Sequence, residues 1–289
     1  MNHRHFSLAA VVALIACAPR VVTAPPMAPL PFPVDTTRTR VLADGVVHRF
    51  LYSRQGPWAV HVLDVDLSRC NAIIAVKGAD SAAGRVRTTT MLRALSGKEQ
   101  VLAGVNADFF SLATGVPVGL LVVNGTMLTP PTSAPVLAFD SSGAPLIASF
   151  ARANGRLLPL YPRDAVGGRP VLVRDSAIVV AVDSAGSASF IARNPRTAAG
   201  IAANGKRLLF AVVDGRQLPY SDGMSLRELA TLMRGLGARD AINLDGGGSS
   251  TLVYAEPDSG GALRIANRPS DKEGERTVGD ALAVIRRCR

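Results

Sequence analysis

The chain has 289 residues, 48% of them hydrophobic and 19% charged, a balance that supports a packed core and excludes a disordered chain. Its formal charge of +10 comes mostly from arginines scattered without a long run, which argues against a nucleic-acid partner and leaves only a weak pointer to anionic ligands. Length alone allows one large domain or two small ones.

Arg4 precedes an apolar stretch from Phe6 to Ala16, the pattern of a secretory signal and too short to span a bilayer comfortably. Leu14-Ile15-Ala16-Cys17 resembles a bacterial lipobox, which predicts a signal peptide over 1–16 and lipid on the Cys17 thiol after cleavage. An ordinary cleaved signal with an incidental cysteine is the alternative. Ala18, where an aspartate would favour inner-membrane retention, implies the outer membrane if the cell has one. The protein is therefore expected to be exported and held at the membrane by its lipid. Pro19, Pro25, Pro26, Pro29, Pro31 and Pro33 make residues 17–40 an extended tether ahead of a folded part over 41–289.

Trp58 to Leu67 reads as a strand whose apolar phase slips by one residue, suggesting a bulge. A short helix is expected over Thr89 to Leu95, with a threonine cap and Gly97 as its stop. Further strands are expected at Ile73 to Val76, Val101 to Val105, Gly119 to Val123, Val136 to Asp140, Ile178 to Val182, Leu208 to Val213, Ala241 to Leu244 and Thr251 to Tyr254, with tight turns at Asn124-Gly125 and Ser142-Gly143. A longer helix starts at Ser225, which forms a capping box with Glu228. Leu226, Leu229, Ala230 and Met233 recur on one of its faces, and Gly235 and Gly237 can end it. Strands outnumber helices, so the expected fold is α+β: a single domain of mixed, mostly β sheet structure with a few helices. Cys70 and Cys288 could form one disulfide or remain two buried thiols.

Beyond the signal only His48 and His61 remain, both in strand-like segments, which excludes a histidine-rich metal site and disfavours a Ser-His-Asp triad. Proton transfer then falls to carboxylates, and negative charge to arginines and backbone amides. The segment Asn243-Leu-Asp-Gly-Gly-Gly-Ser-Ser-Thr251 lies between two apolar strands, and three glycines continue a strand poorly. Its alternatives are a flexible hairpin turn or an amide cradle for phosphate, aided by Ser249 and Ser250. Asp245 opens this loop. Asp214-Gly215-Arg216 ends the run Leu208 to Val213, Asn106-Ala-Asp-Phe-Phe110 ends Val101 to Val105, and Arg196-Thr197 leads into another strand. Convergence of these strand ends at one sheet edge is expected.

Asn106-Ala-Asp-Phe-Phe110, Asn194-Pro-Arg-Thr-Ala-Ala-Gly-Ile201, Val213-Asp-Gly-Arg216, Gly223-Met-Ser-Leu-Arg-Glu-Leu-Ala230, Ala241 to Thr251 and Asn267-Arg-Pro-Ser-Asp271 resemble, in order and spacing, the phosphodiester glycosidase family. The resemblance implies hydrolysis of the glycosidic bond of sugar-1-phosphodiesters in the cell envelope, with Asp245, Asp214 and then Asp271 as the catalytic carboxylates. It implies substrate or phosphate contacts from Asn106, Asp108, Arg196, Thr197, Arg216, Asn243, Gly246, Gly247, Gly248, Ser249 and Ser250. The implied partner is a phosphate-linked glycan. No cofactor is required, and no metal site is indicated. Two alternatives remain open: a phosphodiesterase using a divalent ion held by Asp108, Asp214 and Asp245, and a non-catalytic glycan-binding lipoprotein of the envelope.

Overall fold

A computed structural model describes residues 27–78, 81–153, 156–179 and 188–288. The expected signal peptide, Cys17 and the tether up to residue 26 lie outside the described residues, as does the end of the strand expected over Ile178 to Val182.

Three main sheets form the body. The first runs, in spatial order, Thr36–Ala43, Val46–Ser53, Trp58–Asp66, Arg207–Val213, Arg196–Ala202, Ala238–Asn243, Val171–Arg174, Ala177–Ile178. The second runs Leu263–Ile265, Leu252–Ala255, Gln100–Asn106, Asp280–Arg286, Asn71–Lys77. The third runs Pro145–Ser149, Pro135–Phe139, Asp164–Gly167, Leu121–Val123, Thr126–Thr129. One core is shared by all three, with Phe210 and Ile242 from the first sheet, Val105 and Leu282 from the second, and Leu137 and Phe139 from the third.

Helices close the two outer faces. The helix Leu226–Gly235 lays Leu229, Ala230 and Met233 against the strands that carry Leu172, Ala198 and Ala241 in the first sheet. The helix Thr88–Ser96 lays Met91 and Leu92 on Ala283 and Ile285 of the second. Strands thus dominate an α+β domain, and every described ladder is antiparallel rather than mixed in direction. Hairpins reverse the chain directly, as at Gly45, so neighbouring strands run in opposite directions.

Several local expectations change for identifiable reasons. The strand Trp58–Asp66 pairs without a bulge on both sides. Its apparent phase slip arises because both faces are covered: Val60 and Val62 enter the core under the long helix, while Leu63 and Val65 enter the shared core. The helix Thr88–Ser96 has no side-chain cap of its own. Instead Glu275 accepts hydrogen bonds from the Thr89 amide at 2.8 Å and the Thr89 hydroxyl at 2.6 Å. The Ser225 capping box is present in both directions, a local feature worth about 1 kcal/mol.

The folded part also begins earlier than Val41. The first strand starts at Thr36, and Met27, Leu30, Phe32 and Val34 pack against the core under the long helix, Phe32 edge-on to Trp58 at 5.0 Å. Prolines do not prevent docking here, because the apolar residues between them find buried surface. Cys70 and Cys288 form a disulfide.

Candidate active site

Antiparallel pairing brings distant segments to one rim. Arg196 lies opposite Val213, Ala198 opposite Asn243, Ala281 opposite Asn106 and Leu252 opposite Val105. The segments that follow or precede these positions therefore emerge together, as the strand-end pattern predicts. Asn106 ties them: its amide donates to the Asp245 carbonyl at 2.6 Å, while its Oδ1 accepts from the Thr197 hydroxyl at 2.8 Å and the Thr251 amide at 3.1 Å. Asn243 instead donates to the Arg169 carbonyl at 2.6 Å, outside the carboxylate cluster.

Gly246 and Gly248 are required by close neighbours, and Gly247 by its positive φ. A Cβ on Gly246 would lie 2.7 Å from the Pro195 carbonyl oxygen, and Gly247 has φ +61 with the Arg216 guanidinium 3.3 Å from its would-be Cβ. On Gly248 a Cβ would lie 2.1 Å from Asp271 Oδ1 and 2.3 Å from Arg276 Nη2. Residues Gly247–Ser249 form a 3-10 turn. Its amides are mostly engaged within the protein: Gly247 donates to the Pro195 carbonyl at 2.9 Å, Ser249 to Gly246 at 3.2 Å and Ser250 to Gly247 at 3.2 Å. An amide cradle built on these three donors is therefore corrected. The glycines serve close approach, letting Arg216 and the Asp271–Arg276 pair press against the turn. The Ser249, Ser250, Thr251 and Ser270 hydroxyls are buried at the turn without a well-formed hydrogen bond to another protein group.

Three carboxylates gather behind the turn. Burial raises the Asp245 pKa to about 6, against the opposing pull of the neighbouring Ser249 hydroxyl, Arg276 and the Gly246 amide. Ser249 lies alongside this carboxylate without a hydrogen bond of good geometry. Asp108 is pushed well above the ordinary carboxylate range, first by burial and then by the charges of Asp280 and Asp245, although the Gly119 amide donates to its Oδ2 at 2.7 Å. Asp280, fully buried, rises to about 7 through burial; it accepts the Asp108 amide at 2.8 Å and feels Lys77 nearby. Such a group stores a proton near neutrality.

Two predicted residues sit differently from expectation. Asp214 is buried, and its carboxylate is taken up by other partners. It accepts from the Tyr220 hydroxyl at 3.0 Å, the Asn267 amide at 3.1 Å and the Arg268 backbone amide at 3.0 Å, with His61 Nε2 3.7 Å away. Asn267 also donates to the Ser250 carbonyl at 3.0 Å, so Asp214 reaches the glycine turn through one intermediary. Arg196 is buried and clamps carbonyls, donating to Met224 at 2.8 Å and Ala192 at 2.8 Å. Burial and then Arg216 lower its pKa to about 10. Asp271 is held by both arms of Arg276, at 2.7 and 2.9 Å. Arg216 is exposed, its guanidinium resting on Gly247 and donating to Asn194 Oδ1 at 2.8 Å.

Sequence reasoning missed Asp280 altogether. Its signal was a lone acid opening the apolar run Ala281 to Ile285, on a strand paired with the one ending at Asn106. The ligand set Asp108, Asp214 and Asp245 is not assembled, because Asp214 is taken up by Tyr220, Asn267 and Arg268. Among the described residues no group of three or more His, Cys, Asp or Glu is arranged to hold a metal ion. No helix among the described residues is long and apolar enough to cross a membrane.

The family model for phosphodiester glycosidases matches residues 99–285. No curated protein matches the sequence. The fold is similar to three solved structures. A hypothetical protein from Synechocystis has a TM-score of 0.67 and 17% identity, covering 87% of this chain and 64% of its own. This chain thus spans just under two thirds of that relative. A Burkholderia pseudomallei protein assigned as exported has a TM-score of 0.61 and 23% identity, covering 80% and 74%. The catalytic domain of zebrafish N-acetylglucosamine-1-phosphodiester alpha-N-acetylglucosaminidase, auto-inhibited by its pro-peptide, has a TM-score of 0.64 and 18% identity, covering 87% and 88%.

Proposed function

The chain belongs to the phosphodiester glycosidase family, and from that premise we propose that it is a hydrolase of the cell envelope that cleaves the bond between the anomeric carbon and the phosphate oxygen of a sugar-1-phosphodiester. Water supplies the oxygen that ends on the sugar, and the phosphomonoester leaves with its bridging oxygen. The observation that carries this reading is the placement of Asp245. It opens the glycine turn, next to Arg276, with the proton-holding pair Asp108 and Asp280 behind it.

Asp245, ionised above its pKa of about 6, activates water or attacks the anomeric carbon. Asp108 supplies or retains the compensating proton, with Asp280 holding its backbone in place. A phosphomonoester is a good leaving group, so charge stabilisation matters more than strong acid assistance. Arg216, against Gly247, and Arg276, against Gly248, would stabilise that charge. Asn106 and Thr197 fix the Asp245 backbone and the strand behind it. Asp214 acts as a positioning residue through Asn267. No step calls on a cofactor.

Export and attachment through lipid on Cys17 complete the proposal, and the exported Burkholderia relative fits such a setting. Metabolic labelling with a fatty-acid analogue tests the anchor: label should enter the parent chain and be absent from Cys17→Ser. Hydrolysis of a panel of sugar-1-phosphodiesters in isotopically labelled water tests the reaction. Label is expected in the released sugar; label in the phosphomonoester would replace this reading with attack at phosphorus.

A further inference from the structure

Next to the rim, beyond Leu63 and Val65 on the same face of the first sheet, lies a cavity of about 590 Å³. Its floor follows from the two-residue strand period. Arg38 pairs with Phe50, Phe50 with His61, Arg40 with His48 and Thr36 with Tyr52, so their side chains share one face. Tyr220, Tyr254 and Arg268 form the facing wall. Tyr52 and Tyr220 are nearly parallel, with ring centres 6.5 Å apart, and the Arg268 guanidinium lies 4.0 Å over the Tyr220 ring.

The charge of this cavity has one sign. Three arginines line it and no carboxylate does. Arg40 is paired with Glu256, whereas Arg38 and the guanidinium of Arg268 have no ion-pair partner among the described residues. His61, buried on the floor, has an Nε2 without a hydrogen-bond partner. Arg268 and Tyr220 also border the rim: the Arg268 carbonyl accepts from Gln217, the residue after Arg216, at 2.9 Å.

We infer that this cavity binds an anionic glycan, with a sugar ring against Tyr52 and negative groups at Arg38 and Arg268. Tyrosine offers a rigid apolar face with a polar edge, and arginine recognises phosphate and carboxylate with two parallel donors. Stacked nucleic-acid bases would also suit the rings, but a single-stranded nucleic acid needs a continuous basic track. Here Glu256 neutralises Arg40 and interrupts such a track. The inference rests on the glycosidase reading only for the choice of a sugar over another anion. Because the cavity adjoins the rim, it would hold the part of a polymer next to the bond being cleaved.

Titration calorimetry on the parent protein separates the possibilities without turnover. The probes are a galacturonic acid hexamer, a phosphodiester-linked sugar hexamer, a neutral galactose hexamer and hexathymidylate. Either anionic sugar should bind more tightly than the neutral one, the tighter naming the charge carried. Arg38→Ala and Tyr52→Ala should each weaken it by about tenfold, with unchanged melting and partial rescue in Arg38→Lys. Equal binding of the neutral hexamer, no loss in Arg38→Ala, no sugar binding at all, or tighter binding of hexathymidylate would each overturn the inference. Binding without hydrolysis would leave the inference standing and remove the proposed reaction; hydrolysis of small substrates without binding would do the reverse.

Discussion

Asp280 accepts the backbone amide of Asp108 at 2.8 Å, so one buried acid fixes the chain that presents another. Asp280 opens one strand of the second sheet, and Asp108 lies two residues past the end of the neighbouring strand, 172 positions away in the chain. Their shared environment makes each harder to ionise, and this has a consequence for stability.

Asp280, raised to about 7, and Asp108, raised well above its usual range, bind protons more tightly folded than unfolded. A raised carboxylate contributes stability at low pH that is lost as pH rises through the folded value. Melting temperature should therefore fall between about pH 4 and pH 7 through these groups. Asp280→Asn should flatten that slope, seen by calorimetry across pH; an unaltered slope would assign it elsewhere.

Asp245→Asn should lower kcat by about 10²–10⁴-fold with little change in melting temperature, because the amide keeps the size of the side chain and loses its negative charge. The parent profile should rise with pH through about 6, the value for the Asp245 carboxylate. Steady-state rates on a sugar-1-phosphodiester read both effects.

Asp214→Asn should behave differently. Three donors converge on this carboxylate, from Tyr220, Asn267 and Arg268, and an amide nitrogen cannot accept them all. A loss of about 1–3 kcal/mol in urea denaturation is expected, accompanied by lower activity. Full stability with lost turnover would instead promote Asp214 to a direct chemical role.

Gly248→Ala should destabilise by about 1–3 kcal/mol and depress kcat, since the added methyl displaces the Asp271–Arg276 pair. Gly205→Ala is the control: its φ of +66 costs strain, but no atom lies within 4 Å of the added carbon. Chemical denaturation of both separates crowding at the site from backbone strain.

The disulfide Cys70–Cys288 closes a separation of 218 residues. Cys288→Ser should cost about 5 kcal/mol on the loop-entropy account. Reducing agent should reproduce the shift in the parent and leave the variant unmoved.

What the sequence made legible was local. The Ser225–Glu228 capping box and the long helix need only a few consecutive residues, and Asp245 and Asn106 stand out because polar groups follow apolar runs. The Glu275 cap on Thr89 could not be read, because its partners are 186 positions apart. Arg196 looked like an anion binder from its neighbours in sequence, yet folding turns it onto carbonyls. His48 and His61 are strand residues as expected, and their place on a cavity floor depends on where the second layer stops. Asp280 escaped because one acid at the start of an apolar strand resembles a strand boundary until its neighbour across the sheet is known.

The antiparallel weave also divides the molecule into a working end and a quiet one. Turns such as Asn204–Gly205 close the hairpin whose open end carries Arg196 and Val213, and the Cys70–Cys288 staple joins strand ends remote from Asp280. A reporter peptide spliced into that far hairpin would therefore be carried as a passenger, and lineages could lengthen those loops freely while the opposite end stays under selection for reactivity.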